Sequence, residues 1–107
     1  MVCGYGIFAE GFGRVRLSVD YSVRMKKDVK RLKKQGKDLE KMYAVIERLA
    51  SCEILEERYK DHSLSGNYFG YRECHIAPDW LLIYRIEDDN LVLVLTRTGS
   101  HSELFKK

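Results

Sequence analysis

No stretch of the 107 residues approaches the ~20 consecutive apolar positions that span a bilayer, so no membrane helix is expected. The opening residues, Met1 to Gly13, lack a basic start followed by an apolar block and do not read as a secretory signal. Cysteines are few: Cys3, Cys52 and Cys74. Their odd number and wide spacing argue against a disulfide framework or a zinc ribbon and suit a reducing cytoplasm. Gly-rich dinucleotide loops, Walker motifs and CxxC pairs are missing, as are internal repeats and low-complexity segments. The three histidines, His62, His75 and His101, are too widely separated for a compact metal motif. The expectation is no metal and no other cofactor.

What is present is an ordinary globular balance, 45% hydrophobic and 33% charged. The length suits one domain, which at this size buries roughly two-thirds of the surface of its unfolded chain. The net charge of +3 conceals an asymmetry. Between Arg14 and Lys37 stand ten lysines and arginines against Asp20 and Asp28, so the rest of the chain is net acidic. A block this basic suits a polyanion or an acidic protein partner. A solvated helix face is the plain alternative.

Residues 1–13 show neither helical nor strand period and are expected to form a poorly ordered extension before a single domain, 14–107. Arg14 to Tyr21 alternates, with Val15, Leu17 and Val19 on one side, and predicts a half-buried strand. Ser22 is placed to cap a helix carrying Met25, Val29 and Leu32 at i, i+4, i+7 and ending near Gly36. Leu39, Met42, Ile46 and Leu49 repeat the spacing in a second helix opened by Lys37 or Asp38. The short connection favours an antiparallel helical hairpin. Asp61 to Phe69 reads as a loop, Gly70 to Ile76 as a strand and Pro78-Asp79 as a turn. Trp80–Ile86 and Leu91–Arg97 read as strands joined by the acidic turn 87–90. Ser100 and Glu103 have capping-box spacing for a terminal helical turn. The predicted class is α+β, a helical hairpin packed on a mainly antiparallel sheet.

All three histidines fall at element edges in the C-terminal half. Metal-free RNA cleavage needs a base for the 2′-hydroxyl, an acid for the leaving 5′-oxygen and positive charge at the phosphorus. Histidines, Asp79 and Arg97 have the chemistry for those roles. A surface or capping role is the ordinary fate of a single histidine, Trp80 is equally a core residue, and Cys74 reads as packing rather than as a nucleophile.

Three stretches carry a resemblance. They are Tyr59-Lys60-Asp61-His62 with Leu64, Gly66, Gly70-Tyr71-Arg72, Cys74-His75-Ile76 and Pro78 to Tyr84; the ending Arg97 to Phe105; and Lys26-Lys27-Asp28-Val29-Lys30. Together they are similar to the YafQ-like branch of the RelE toxin superfamily over roughly residues 15–105. The resemblance implies a microbial RNase (RelE-like) fold and a cytoplasmic toxin that cleaves messenger RNA in the ribosomal A site without metal. It implies an antitoxin partner of the DinJ or RelB kind, and no membrane. By position it places the catalytic set on His62, His75, Asp79 and His101. Substrate and phosphate contacts fall on Arg97, Trp80 and Phe105. Lys26, Lys27, Lys30, Arg31, Lys33 and Lys34 on the basic helix are expected to grip ribosomal RNA.

Two other classes compete. One is a non-nucleolytic toxin of ParE type acting on DNA gyrase, the other a module that binds RNA without cutting it. Geometry discriminates: an RNase needs His62, His75, His101 and Asp79 converging on one cleft with Arg97 near, whereas a binding surface has no such need.

Overall fold

The computed structural model describes residues 16–105, so the expected extension 1–13 and the strand positions Arg14 and Val15 lie outside the described residues. The elements run β1 (Ser18–Tyr21), α1 (Val23–Lys34), α2 (Leu39–Ala50), β2 (His62–Ser63), β3 (Arg72–Ala77), β4 (Trp80–Glu87), β5 (Val92–Gly99) and α3 (His101–Leu104). One five-stranded sheet has the order β1-β5-β4-β3-β2, with β1 parallel to β5 and every other pairing antiparallel. The helical hairpin covers one face, as the periodicities predict.

The local reasons are legible. Ser22 Oγ accepts from the Met25 amide at 3.0 Å and starts α1. Gly36, at φ +78°, ends it: the Gly36 and Lys37 amides donate to the Lys33 and Leu32 carbonyls, which a left-handed residue just past the helix allows. Asp38 caps α2 through the Glu40 amide. Met25 and Leu32 of α1 and Met42, Val45, Ile46 and Leu49 of α2 pack on Cys74, Ile76, Trp80, Leu82, Tyr84, Leu93 and Leu95 of the sheet. Each such side chain contributes roughly 1.5–3 kcal/mol by leaving water. Cys74 is free and buried, and burial pushes its thiol up, as suits packing.

Two register shifts set the positions of the candidate site residues. On β3, His75 pairs with Leu81 and Ala77 with Trp80, so Ile76 is the extra residue. On β5, Leu95 pairs with Tyr84 and Arg97 with Ile83, so Thr96 is the extra residue. After Thr96 the alternation is inverted. Arg97 shares the open face with Ile83, and Thr98 the helix-covered face with Leu82.

The segment expected as one loop, 61–69, contains the two-residue strand β2, paired to β3 with His62 opposite Glu73. Two paired residues leave no period for alternation to reveal. β5 also runs on to Gly99, which was expected to break the chain. A Cβ there would stand 2.6 Å from Arg31 Nη2 and 2.8 Å from Glu103 Oε1, so the side chains of Arg31 and Glu103 lie over this strand end in the space a Cβ would otherwise fill.

Candidate active site

The open face of the sheet holds a smaller apolar cluster, Leu81, Ile83 and Leu104, with Leu64, Tyr68, Tyr71 and Phe105 packed on it. Around this floor stand the titratable groups. Alternation on β3 sends Cys74 and Ile76 to the helices and Glu73 and His75 to the open face. Glu73 is 5% exposed. One of its oxygens faces His62 Nε2 at 3.4 Å and His75 Nε2 at 3.9 Å.

His62 is held by its surroundings. Lys60 adopts a left-handed turn and its carbonyl oxygen lies 2.6 Å from His62 Nδ1, so that nitrogen donates and Nε2 points at Glu73. The preceding Asp61 accepts from Tyr84 Oη at 2.6 Å and Arg72 Nε at 3.2 Å, while Arg72 Nη1 donates to Ser63 Oγ. Burial and the Asp61 carboxylate push the Tyr84 phenol up, so it stays a hydrogen-bond donor.

His101 opens α3 behind a complete capping box, in which Ser100 Oγ accepts from the Glu103 amide and Glu103 accepts from the Ser100 amide. Asp79 sits on the β3–β4 turn. Its Oδ1 receives both the His101 backbone N–H and His101 Nδ1, each at 3.2 Å. Those bonds, the backbone one first, hold the Asp79 carboxyl below its ordinary value. With Nδ1 committed to Asp79, Nε2 of His101 is the nitrogen left for proton transfer. The His101 ring stands 6.0 Å from His75 and 6.2 Å from Phe105, and Phe105 meets Tyr68 edge-on at 5.7 Å.

Contacts therefore run from His62 through Glu73 and His75 to His101 and Asp79. The structure brings together all four residues expected to do acid–base work. Arg97 lies on the same face, in the sheet row of Ile83 and Glu73. Its guanidinium turns toward α1, where Nε and Nη2 donate to the two oxygens of Asp28 at 2.7 and 3.2 Å. Asp28 is 3% exposed and also accepts from Arg31 Nη1 at 2.7 Å and the Thr98 amide at 3.1 Å. Burial pushes the Asp28 carboxyl up, but the bonds from Arg97, Arg31 and Thr98 outweigh it and leave it below its ordinary value. Arg97 is raised in turn, first by its bond to Asp28.

Two expectations are corrected. Trp80 is 4% exposed on the helix-covered face, with Nε1 donating to Thr98 Oγ1 at 3.0 Å, so it offers no open ring for a base. The apolar residue types of W-L-L-I-Y are the same on both faces, so spacing could not assign it. Arg31 is engaged by Asp28, the Thr98 carbonyl and Glu103, and is not a free cation for RNA. Lys26, Lys27, Lys30, Lys33 and Lys34 are exposed as expected. Asp28 and Glu73 were missed. The signal for Asp28 was an acid on the Met25–Leu32 stripe of a basic helix, and for Glu73 an acid in phase with His75. Among the described residues no three His, Cys, Asp or Glu side chains are grouped to hold a metal ion.

Comparison with known proteins now decides the lineage. The family described as "Bacterial toxin of type II toxin-antitoxin system, YafQ" matches residues 17–106. The chain belongs to the YafQ toxin family. A curated relative, the mRNA interferase toxin YafQ of Escherichia coli K12, is 39% identical over 92 residues, covering 85% of this chain and 98% of that protein. A metal-bound toxin from Helicobacter pylori is 46% identical, with a TM-score of 0.79 over 83% of this chain and 99% of its own. The E. coli DinJ-YafQ toxin-antitoxin complex gives 39% identity and a TM-score of 0.77, covering 85% of this chain and 99% of that one. The α+β RelE-like fold agrees with that membership.

Proposed function

We propose that this member of the YafQ family is an endoribonuclease toxin that cleaves messenger RNA in the ribosomal A site and is held inactive by a cognate antitoxin. The observation that carries the reading is the contact run from His62 to Asp79 on the open face of the sheet. A docking surface has no use for three imidazoles interleaved with two carboxylates, whereas in-line attack by a 2′-hydroxyl needs a base and an acid on opposite sides of one phosphate.

The chemistry follows from the tautomers. His75, beside buried Glu73, takes the 2′-hydroxyl proton as the O2′–P bond forms. His101 gives the proton on Nε2 to the 5′-oxygen as the P–O5′ bond breaks. Asp79 positions His101 through Nδ1 and stabilises its imidazolium form. His62 shares the proton work or holds the phosphate. Arg97, with Nε and Nη2 taken by Asp28, offers Nη1 to the phosphorane charge. Phe105 supplies an aromatic edge near the scissile step, worth roughly 1–3 kcal/mol where a base stacks. The products are a 2′,3′-cyclic phosphate and a 5′-hydroxyl.

Outside the site, Lys26, Lys27, Lys30, Lys33 and Lys34 form the surface for ribosomal RNA, and Arg31 is left out. The antitoxin is a small acidic protein encoded beside this one, whose segment orders on the basic surface. The toxin works in the cytoplasm, and no helix among the described residues is long and apolar enough to cross a membrane.

The test is single-turnover cleavage of A-site messenger with the product ends identified. His101→Ala should slow cleavage on the order of a hundredfold or more with ribosome affinity retained. Full activity in that variant, or a 3′-hydroxyl product, would overturn the assignment. Reversing the charge of Lys26, Lys27 and Lys30 should weaken ribosome binding and flatten its salt dependence. Unchanged affinity would remove α1 from the interface.

A further inference from the structure

A groove of about 610 Å³ lies between α2, the turn 57–59 and the part of β3 beyond its pairing with β2. That volume falls within the ~300–1,000 Å³ of ligand sites. Its floor is apolar, from Val45 and Ile76, and its charged walls are all basic: Lys41, Arg48, Arg58 and Lys60. His75 is among its lining residues, and the His75 ring stands 6.0 Å from that of His101. At Ala77 and Pro78 it meets a smaller cavity of about 330 Å³ beside Asp79 and Lys37. None of this basic wall belongs to the α1 surface.

We propose that this groove is an RNA-binding subsite that takes the sugar–phosphate strand adjoining the cleavage point. The proposal rests on the reading of the site as a ribonuclease and extends it to a second stretch of substrate. The charges are not equivalent. Arg48 is paired with Glu53 and Glu56, and Arg58 stands 3.7 Å from Glu56. Both guanidinium groups also lie over Tyr59, at 5.8 and 4.7 Å from its ring centre, which fixes them as part of the wall. Lys41 and Lys60 are exposed and have no ion pair among the described residues. They are the free cations, one on each side of the groove, and a strand leaving His75 passes between them. Unpaired ammonium groups around an apolar floor suit phosphates outside and ribose within. An acidic peptide would meet the same charges, and its capture in place of RNA is an outcome of the test below.

The experiment uses a short 2′-O-methyl RNA oligonucleotide, which binds without being cut, and follows its affinity for the full chain by fluorescence anisotropy across a salt series. The double variant Lys41→Gln, Lys60→Gln should bind about tenfold more weakly at low salt. Its slope of log affinity against log salt should be shallower by about 1.4, since each single-strand phosphate contact contributes roughly 0.7. Lys41→Arg, Lys60→Arg should restore both. A control with the same charge change at arginines already held by glutamates outside the groove and off α1, Arg16→Gln with Arg85→Gln, should stay within twofold of wild type. Wild-type affinity in the groove variant, or an equal loss in the control, overturns the proposal. So does a groove variant that keeps RNA affinity and loses the acidic antitoxin, which would give the groove to the protein partner. No ribosome and no cleavage enter this measurement. Failure of the wild type to cut A-site messenger would therefore overturn the functional reading alone.

Discussion

Asp28 and Asp79 each hold a basic side chain of the site, one from inside the molecule and one from its rim. Asp28 is buried and accepts four bonds, from Arg97, Arg31 and the Thr98 amide. Asp79 is exposed and accepts two bonds, both from His101. The inner acid has no water to fall back on, so its partners are fixed in one arrangement and its charge is tied to the fold. The outer acid constrains a single ring and leaves that ring able to exchange protons with solvent and substrate. A permanent cation such as Arg97 gains from the first setting, because it must be placed and never titrated. An imidazole that cycles its charge gains from the second.

The largest effect should come from cutting the inner hub. Asp28→Ala leaves Arg97 partly buried without its partner and should cost about 3–5 kcal/mol, seen as a lower urea midpoint. Asp79→Ala should leave that midpoint where it was. Equal losses in the two variants would break the contrast. Activity should show the reverse weighting. Asp79→Ala should slow A-site cleavage by on the order of a hundredfold with the fold intact, and Asp79→Asn should stay slow, because an amide cannot stabilise the imidazolium.

A pH series sharpens the contrast further. The folded carboxyl of Asp28 lies below its unfolded value, so the stability it contributes is fully present above the ordinary carboxylate range, near ~4, and drains away as pH falls through the folded value. Asp28→Asn should therefore flatten the acid side of the stability profile. An unchanged acid limb in that variant would show that Asp28 does not set it. The smallest effect belongs to Trp80. Trp80→Phe removes the bond to Thr98 Oγ1 and some volume, and should cost about 1–2 kcal/mol while cleavage stays within twofold. A large loss of activity at unchanged stability would return Trp80 to the substrate site.

The limits of sequence reading follow from the same contrast. The two helices, the long strands and the capping box at Ser100 were legible because their causes lie within a few residues of one another, whereas the pairing of β1 with distant β5 was not. The histidines and Asp79 were found through resemblance at fixed spacing, since period alone left each a surface residue. Asp28 was invisible as a partner of Arg97, 69 residues away, because nothing local ties an acid on a helix to a strand end. Arg31 was counted as free charge for the same reason. Glu73 was passed over because the two-residue β2, which brings His62 against it, is too short to leave a pattern. Trp80 was given a substrate role through resemblance alone, because β4 is apolar on both sides for most of its length and its spacing could not choose a face.

The extra residue at Thr96 gives β5 two reading frames. Up to Leu95 the odd-numbered positions face the helices; from Arg97 onward they face the open side of the sheet. Strand parity is thus a local coordinate here. Any transplant of this strand into another scaffold, or any alignment that closes a one-residue gap before Arg97, would send the arginine into the packed interior and bring Thr98 out among the histidines. The strand's chemistry is written in its frame shift as much as in its residues.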